Sequence, residues 1–170
     1  MLIINSELND IETIFKLYED GTEFQKTKFH KHWPKFDLSL IQTEIKEGRL
    51  WKIIEDNSIV CIFSITYNDP WVWGEKDNMP SLYIHRIVTN PLFRGNGYVK
   101  NIISWAKNYG KSNGKKFIRM DSWGDNQNLT DYYTKCGFTF LGISILGKVE
   151  NLPEHYYEGA CSSLFEIKLD

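Results

Sequence analysis

Six residues, Phe93-Arg94-Gly95-Asn96-Gly97-Tyr98, carry the chemistry most readily read in this chain. Ahead of them, residues 82–88 are rich in β-branched and aromatic side chains. Leu82, Ile84 and Arg86 alternate with Tyr83, His85 and Ile87, the pattern of a strand with two different faces. Asn90-Pro91 ends that strand, because proline offers no ladder donor. Behind the glycines, Val99, Ile102, Ile103 and Ala106 form one apolar stripe at helical spacing. A strand that feeds a glycine turn opening a helix presents unpaired N–H groups and a positive dipole end to an anion. On the glycines alone, a tight turn before a surface helix explains the same residues.

The type of loop can be narrowed. A Walker loop needs a lysine and a hydroxyl after its last glycine, and none follows Gly97. A dinucleotide fingerprint needs a third glycine where Lys100 stands. The pattern present is Val88-x-x-Pro91-x-x-Arg94-Gly95-x-Gly97. It resembles motif A of the GCN5-related N-acetyltransferases, the GNAT superfamily, in which Gln/Arg-x-x-Gly-x-Gly/Ala cradles the pyrophosphate of acetyl-CoA. Val99 stands where that family has Gly or Ala.

A second motif follows. Asp121-Ser122-Trp123-Gly124-Asp125-Asn126 leads to Tyr133-Thr134-Lys135-Cys136-Gly137-Phe138. It is similar to the family's motif B, an asparagine after the fifth strand and Tyr-x-x-x-Gly-Phe seven residues on. Asn126 is also among the best helix caps, and Tyr133 reads equally well as a helix aromatic on the core.

The remaining elements fall in place around these motifs. Residues 2–4 suggest a strand. Ser6 or Asn9 can cap a helix with Ile11, Ile14, Phe15 and Tyr18 on its apolar face, and a second helix spans about 38–47 with Leu38, Ile41 and Ile45 inward. Residues 50–55 and 58–67 read as a hairpin turning at Asp56-Asn57. Residues 68–81, with Pro70, Gly74 and Pro80, read as a loop. Gly110 and Gly114 stop the long helix, residues 116–121 form the next strand, and 126–135 a short helix. Residues 138–145 return as a strand, and a polar loop over 147–163 precedes a last strand at 164–169. Strands alternating with helices predict an α/β, layered α+β architecture. The resemblance sharpens this to the GNAT fold over residues 1–170 as a single domain: a mixed, mostly antiparallel sheet with a central parallel strand pair, flanked by helices.

Composition sets limits. The 170 residues are 42% apolar and 25% charged with a formal net charge of −2, which argues against a nucleic-acid partner. No apolar run approaches the ~20 residues of a membrane span, and the N-terminus lacks the pattern of a signal peptide. Three cysteines without a metal spacing read as free thiols, with the cytoplasm as the default compartment and no metal.

The resemblance implies roles. The amides of Arg94, Gly95, Asn96, Gly97, Tyr98 and Val99 would hold the acetyl-CoA pyrophosphate, the backbone of Ile87 and Val88 would pair with the pantetheine, and Asn126 would contact it. Tyr133 would protonate the departing thiolate. His85 is a candidate base for the acceptor amine, or else a hydrogen-bonded sheet residue. Asp121 could act through water, bind a cationic acceptor, or cap the following turn. Trp33 and Tyr156 are expected in the acceptor region. The expected function is an N-acetyltransferase that joins acetyl-CoA and a primary amine of a small molecule or peptide in a ternary complex; a homodimer is compatible with it. The alternative is an acyl-CoA-binding module of the same fold with little catalysis. Val99 favours the module, and the intact Asn126 and Tyr133 favour the enzyme.

Overall fold

The computed structural model describes residues 1–28, 32–124, 126–146 and 159–170. They divide into two compact units, Met1–Ile65 with Arg86–Tyr98, and Thr66–His85 with Val99–Asp170. The strands make a mixed, mostly antiparallel sheet with one parallel pair, flanked by helices, as the motifs imply.

The first unit starts with β1 (Leu2–Asn5), α1 (Ile11–Lys28) and α2 (Leu38–Lys46). The turn before α1 is fixed by Glu7 and Asp10 rather than by Ser6 or Asn9, the Glu7 N–H donating to Asp10 Oδ2 at 2.7 Å. The same carboxylate receives Lys52 Nζ at 2.6 Å, so one acid anchors both turn and sheet. β2 (Leu50–Glu55) and β3 (Ser58–Thr66) form the expected hairpin. Asp56 and Asn57 both take positive φ (46° and 60°), the backbone that a two-residue turn between twisted strands requires. Ile14, Leu17, Tyr18, Ile41, Leu50, Ile62 and Val88 make the core of this unit. Leu38 does not face inward as its spacing suggests. It is 51% exposed at the first position of α2, and the inward positions go to Ile41 and Glu44, with Ile45 packed against the same core as expected.

A buried glutamate needs a partner. Glu44 receives the guanidinium of Arg86, which also donates to Ser64 Oγ at 2.9 Å and lies over the rings of Tyr18 and Phe36. Arg86 sits in β4 (Ser81–Thr89) with φ +49°, a left-handed conformation that costs a side-chain-bearing residue about 1–2 kcal/mol. The ion pair and the ring contacts hold it there. The strict alternation expected along residues 82–88 therefore breaks at Arg86.

The second unit carries the first half of β4, then α4 (Tyr98–Ser112, from Val99 on), β5 (Phe117–Trp123), α5 (Gln127–Lys135), β6 (Thr139–Ile145) and β7 (Cys161–Lys168). Ser81, Leu82 and Tyr83 pair in parallel with Phe117, Ile118 and Arg119, while β7 runs antiparallel to both β5 and β6. Three expectations change here. Residues 68–81 are not all loop: Asp69 precedes Pro70 at the first position of a one-turn helix α3 (Pro70–Trp73), where proline is tolerated, and a 3-10 segment follows over Gly74–Asn78. Gly110 does not end α4. It lies inside the helix, where an added Cβ would stand 2.9 Å from Leu169, so glycine permits the close approach. The last strand begins at Cys161 rather than 164. The three cysteines are free thiols, as expected.

Candidate functional site

The glycine stretch is built to hold its shape. Asn90 caps a short turn over Pro91–Phe93 by accepting from the Leu92 N–H at 3.1 Å. Gly95 (φ +91°) and Gly97 (φ +74°) then take left-handed conformations that suit glycine. Arg94 stacks its guanidinium on Phe24, 4.3 Å from the ring centroid. Tyr98 is buried, donates its hydroxyl to Glu55 Oε2 at 2.7 Å, and accepts from Asn96 Nδ2 at 3.4 Å. These contacts pin the turn to the hairpin within the first unit. The helix that opens at Tyr98 has no acidic residue in its own first turn, so its amides present a positive end. Residues 94–99 thus fit a phosphate group.

The second unit holds a titratable cluster. His85 on β4 places Nε2 3.1 Å from the hydroxyl of Thr66 and 3.9 Å from Asp69 Oδ2, and Nδ1 3.9 Å from Asp121 Oδ1. The Tyr83 ring stacks at 6.4 Å. The three side chains are 19%, 7% and 9% exposed for His85, Asp69 and Asp121. Among the described residues they also form a group whose donor atoms lie within 4.8 Å of one another. The carboxylates face opposite nitrogens of one ring, and the three donor groups stand close enough together to hold a metal ion.

The acids are strongly perturbed. Burial, then the charge of Asp121, pushes the Asp69 carboxyl up to about 8; the Val72 amide opposes the shift and Asp77 adds to it. Burial likewise raises Asp121 to about 6, opposed by the Ser162 hydroxyl. Asp69 binds its proton more tightly folded than unfolded, where an aspartate titrates near ~3.9. Its contribution to stability is therefore complete below about pH 4 and is lost as pH rises to about 8. Urea unfolding at pH 4.5 and pH 8 is expected to show the wild type losing more stability than Asp69→Asn over that interval. Equal losses would mean that Asp69 is ionised throughout.

Sequence reasoning found His85 and Asp121, which the structure brings together, but not Asp69. The run Asn68-Asp69-Pro70 signals a helix start, and nothing in it tells that the carboxylate turns toward the strand. Tyr133 packs its ring on Phe165 (centroids 5.1 Å apart) and Phe138 (6.3 Å), and burial pushes its hydroxyl pKa up, with Asp121 among the charges that add to the shift. Asn126 caps α5, its Oδ1 accepting from the Leu129 N–H at 3.1 Å. Trp33 packs with Tyr18 and Phe36 at the edge of the first core. Trp73 is buried against Tyr83 and Arg119, while Trp71 lines a cleft of about 360 Å³ between α3 and β6. Tyr156 lies outside the described residues. No helix among the described residues is long and apolar enough to cross a membrane.

Comparison with known proteins agrees with the family that the two motifs resemble. A curated relative from Bacillus subtilis (strain 168), the uncharacterized N-acetyltransferase YesJ, is 23% identical over 146 residues, 81% of each chain. A GNAT-family acetyltransferase structure from Listeria monocytogenes 4b F2365 superposes with a TM-score of 0.75 at 22% identity, covering 99% of this chain and 94% of that one. The yncA protein of Salmonella typhimurium, solved with its cofactor acetyl-CoA, gives a TM-score of 0.66 at 14% identity and the same coverage. The family model for the acetyltransferase (GNAT) family matches residues 11–138. The chain belongs to the acetyltransferase (GNAT) family.

Proposed function

We propose that residues 1–170 act as one cytoplasmic acyltransferase domain, an N-acetyltransferase that passes an acetyl group from acetyl-CoA to a primary amine of a small molecule or peptide in a ternary complex. The observation that carries this reading beyond a binding module is the cluster around His85. A module that only holds acyl-CoA has no use for a histidine set between two carboxylates of raised pKa.

Acetyl-CoA supplies an activated thioester. Residues 94–99 bind its pyrophosphate through amides at the start of α4, with Arg94 adding a positive charge and Tyr98 fixing the turn. The backbone of Ile87 and Val88 pairs with the pantetheine, one of these amides donates to the thioester oxygen, and Asn126 orients the pantetheine amides. An amine acceptor arrives mostly as an ammonium, since such groups titrate near ~10. Asp121 attracts it electrostatically, and His85 takes a proton from it to expose the lone pair. Tyr133, kept protonated by burial, donates to the departing thiolate. The formal charge of −2 and the absence of a basic excess favour a small or peptide acceptor over nucleic acid.

The test is release of free thiol from acetyl-CoA in the presence of a panel of primary amines, from simple alkyl amines to diamines and lysine peptides. Amine-dependent release with a matching acetylated product is expected. Tight acetyl-CoA binding with no release for any amine would favour the non-catalytic module.

A further inference from the structure

The apolar stripe of α1 runs further than the core needs. Ile14, Leu17 and Tyr18 are buried, Gly21 follows on the same face, and Phe24 comes one turn later. Gly21 lets the helix come down onto β4. An added Cβ there would stand 3.3 Å from both methyls of Val88 and from the Trp33 ring. Beyond that approach the core ends. Phe24 is 41% exposed and stands apart from the buried cluster and from the side chains packed on it. A single exposed apolar residue needs no explanation by itself. This one has a specific contact, because the guanidinium of Arg94 lies over its ring, 4.3 Å from the centroid.

Arg94 opens the glycine turn with extended backbone and an exposed side chain. An exposed arginine samples many rotamers, and ordering it on a ligand costs affinity. A ring beneath the guanidinium removes part of that cost before the ligand arrives. Stacking uses the flat face of the group and leaves its N–H edge outward. Among the described residues, no hydrogen bond or ion pair takes that edge. Its parallel N–H groups match two oxygens of one phosphate.

We propose that Phe24 is a positioning residue for cofactor binding, its ring holding the Arg94 guanidinium ready to pair with the pyrophosphate of acetyl-CoA. The inference rests on the reading of residues 94–99 as the pyrophosphate site. It gives α1 a part in cofactor recognition that neither motif contains. Phe24 acts through Arg94 and needs no contact with the ligand itself. The turn is then held at both ends within the first unit. Tyr98 and Asn96 tie its far end to Glu55 of the hairpin, and Phe24 of α1 steadies its near end.

The test is a double-mutant cycle on acetyl-CoA affinity, read by calorimetry on the full chain at low and high salt. Arg94→Gln should weaken binding about tenfold and flatten its salt dependence. Phe24→Leu keeps an apolar, helix-forming side chain and removes only the π face. It should weaken binding about three- to fivefold, which is what an exposed cation–π contact amounts to. In the Arg94→Gln background the same change should alter affinity by less than about 1.5-fold. Phe24→Trp, with the better π face, should bind acetyl-CoA at least as tightly as the wild type. A helix that had merely lost packing would show the same loss with or without Arg94. Should Phe24→Leu disturb the helix, Phe24→Gln, also a good helix former, repeats the cycle. Equal losses in the two backgrounds, or wild-type affinity without the ring, would overturn the proposal. Failure of the wild type to bind acetyl-CoA would overturn the proposed function and this role with it, whereas binding with additive effects would overturn this role alone.

Discussion

Tyr133→Phe is expected to lower kcat by about two orders of magnitude or more, with the acetyl-CoA dissociation constant changed by less than about threefold. The change removes one oxygen. The ring contacts with Phe165 and Phe138 remain, so α5 keeps its seat and the effect reports the hydroxyl alone. Burial, aided by Tyr132, Cys136 and Asp121, pushes the hydroxyl's pKa up, which keeps it protonated through the neutral range. A group so held stays protonated at every useful pH, so its loss should appear as a uniform drop rather than as a displaced limb. Single-turnover measurements separate this from slow product release. Unchanged turnover would remove Tyr133 as the acid.

Gly97→Val should weaken acetyl-CoA binding by about a hundredfold or more and leave the fold intact. At φ +74° a β-branched residue is strained by at least the ~1–2 kcal/mol that any L side chain meets in left-handed backbone, and the turn relaxes away from it. An added Cβ meets no protein atom within 4 Å, so the protein itself has room, and the loss falls on a ligand that must approach the backbone closely. Calorimetry gives the affinity and circular dichroism the fold. Retained affinity would mean that the pyrophosphate sits elsewhere.

How much could be read from the sequence depends on whether the determinant is local. The hairpin at Asp56-Asn57, the stripe Ile102, Ile103 and Ala106, and the cap at Asn126 each rest on interactions within a few residues, and each was legible. Proline and glycine were weaker guides. Pro70 opens a one-turn helix instead of marking loop, and Gly110 lies in a helix because Leu169, distant in the sequence, comes close. The left-handed Arg86 was hidden for the same reason: what holds it is Glu44 and Ser64, far away along the chain. The candidate site divides in the same manner. Its motif residues were named through the resemblance to a known family, whereas Asp69 gains meaning only from the strand it faces. Trp33, an aromatic residue expected near an acceptor, packs beside a core, where apolar area favours it.

The central claim is that this chain uses acetyl-CoA through the turn at residues 94–99. Isothermal titration of the purified protein with acetyl-CoA, with ATP titrated in parallel, tests it most directly. Saturable one-to-one binding of acetyl-CoA, lost in Gly97→Val and not reproduced by ATP, is the predicted result. Its thermal counterpart is stabilisation by ~2.7 kcal/mol at a hundredfold excess over the dissociation constant. No heat and no stabilisation with acetyl-CoA would contradict the account, and Val99, which stands where the family has a smaller residue, would become the first position to change.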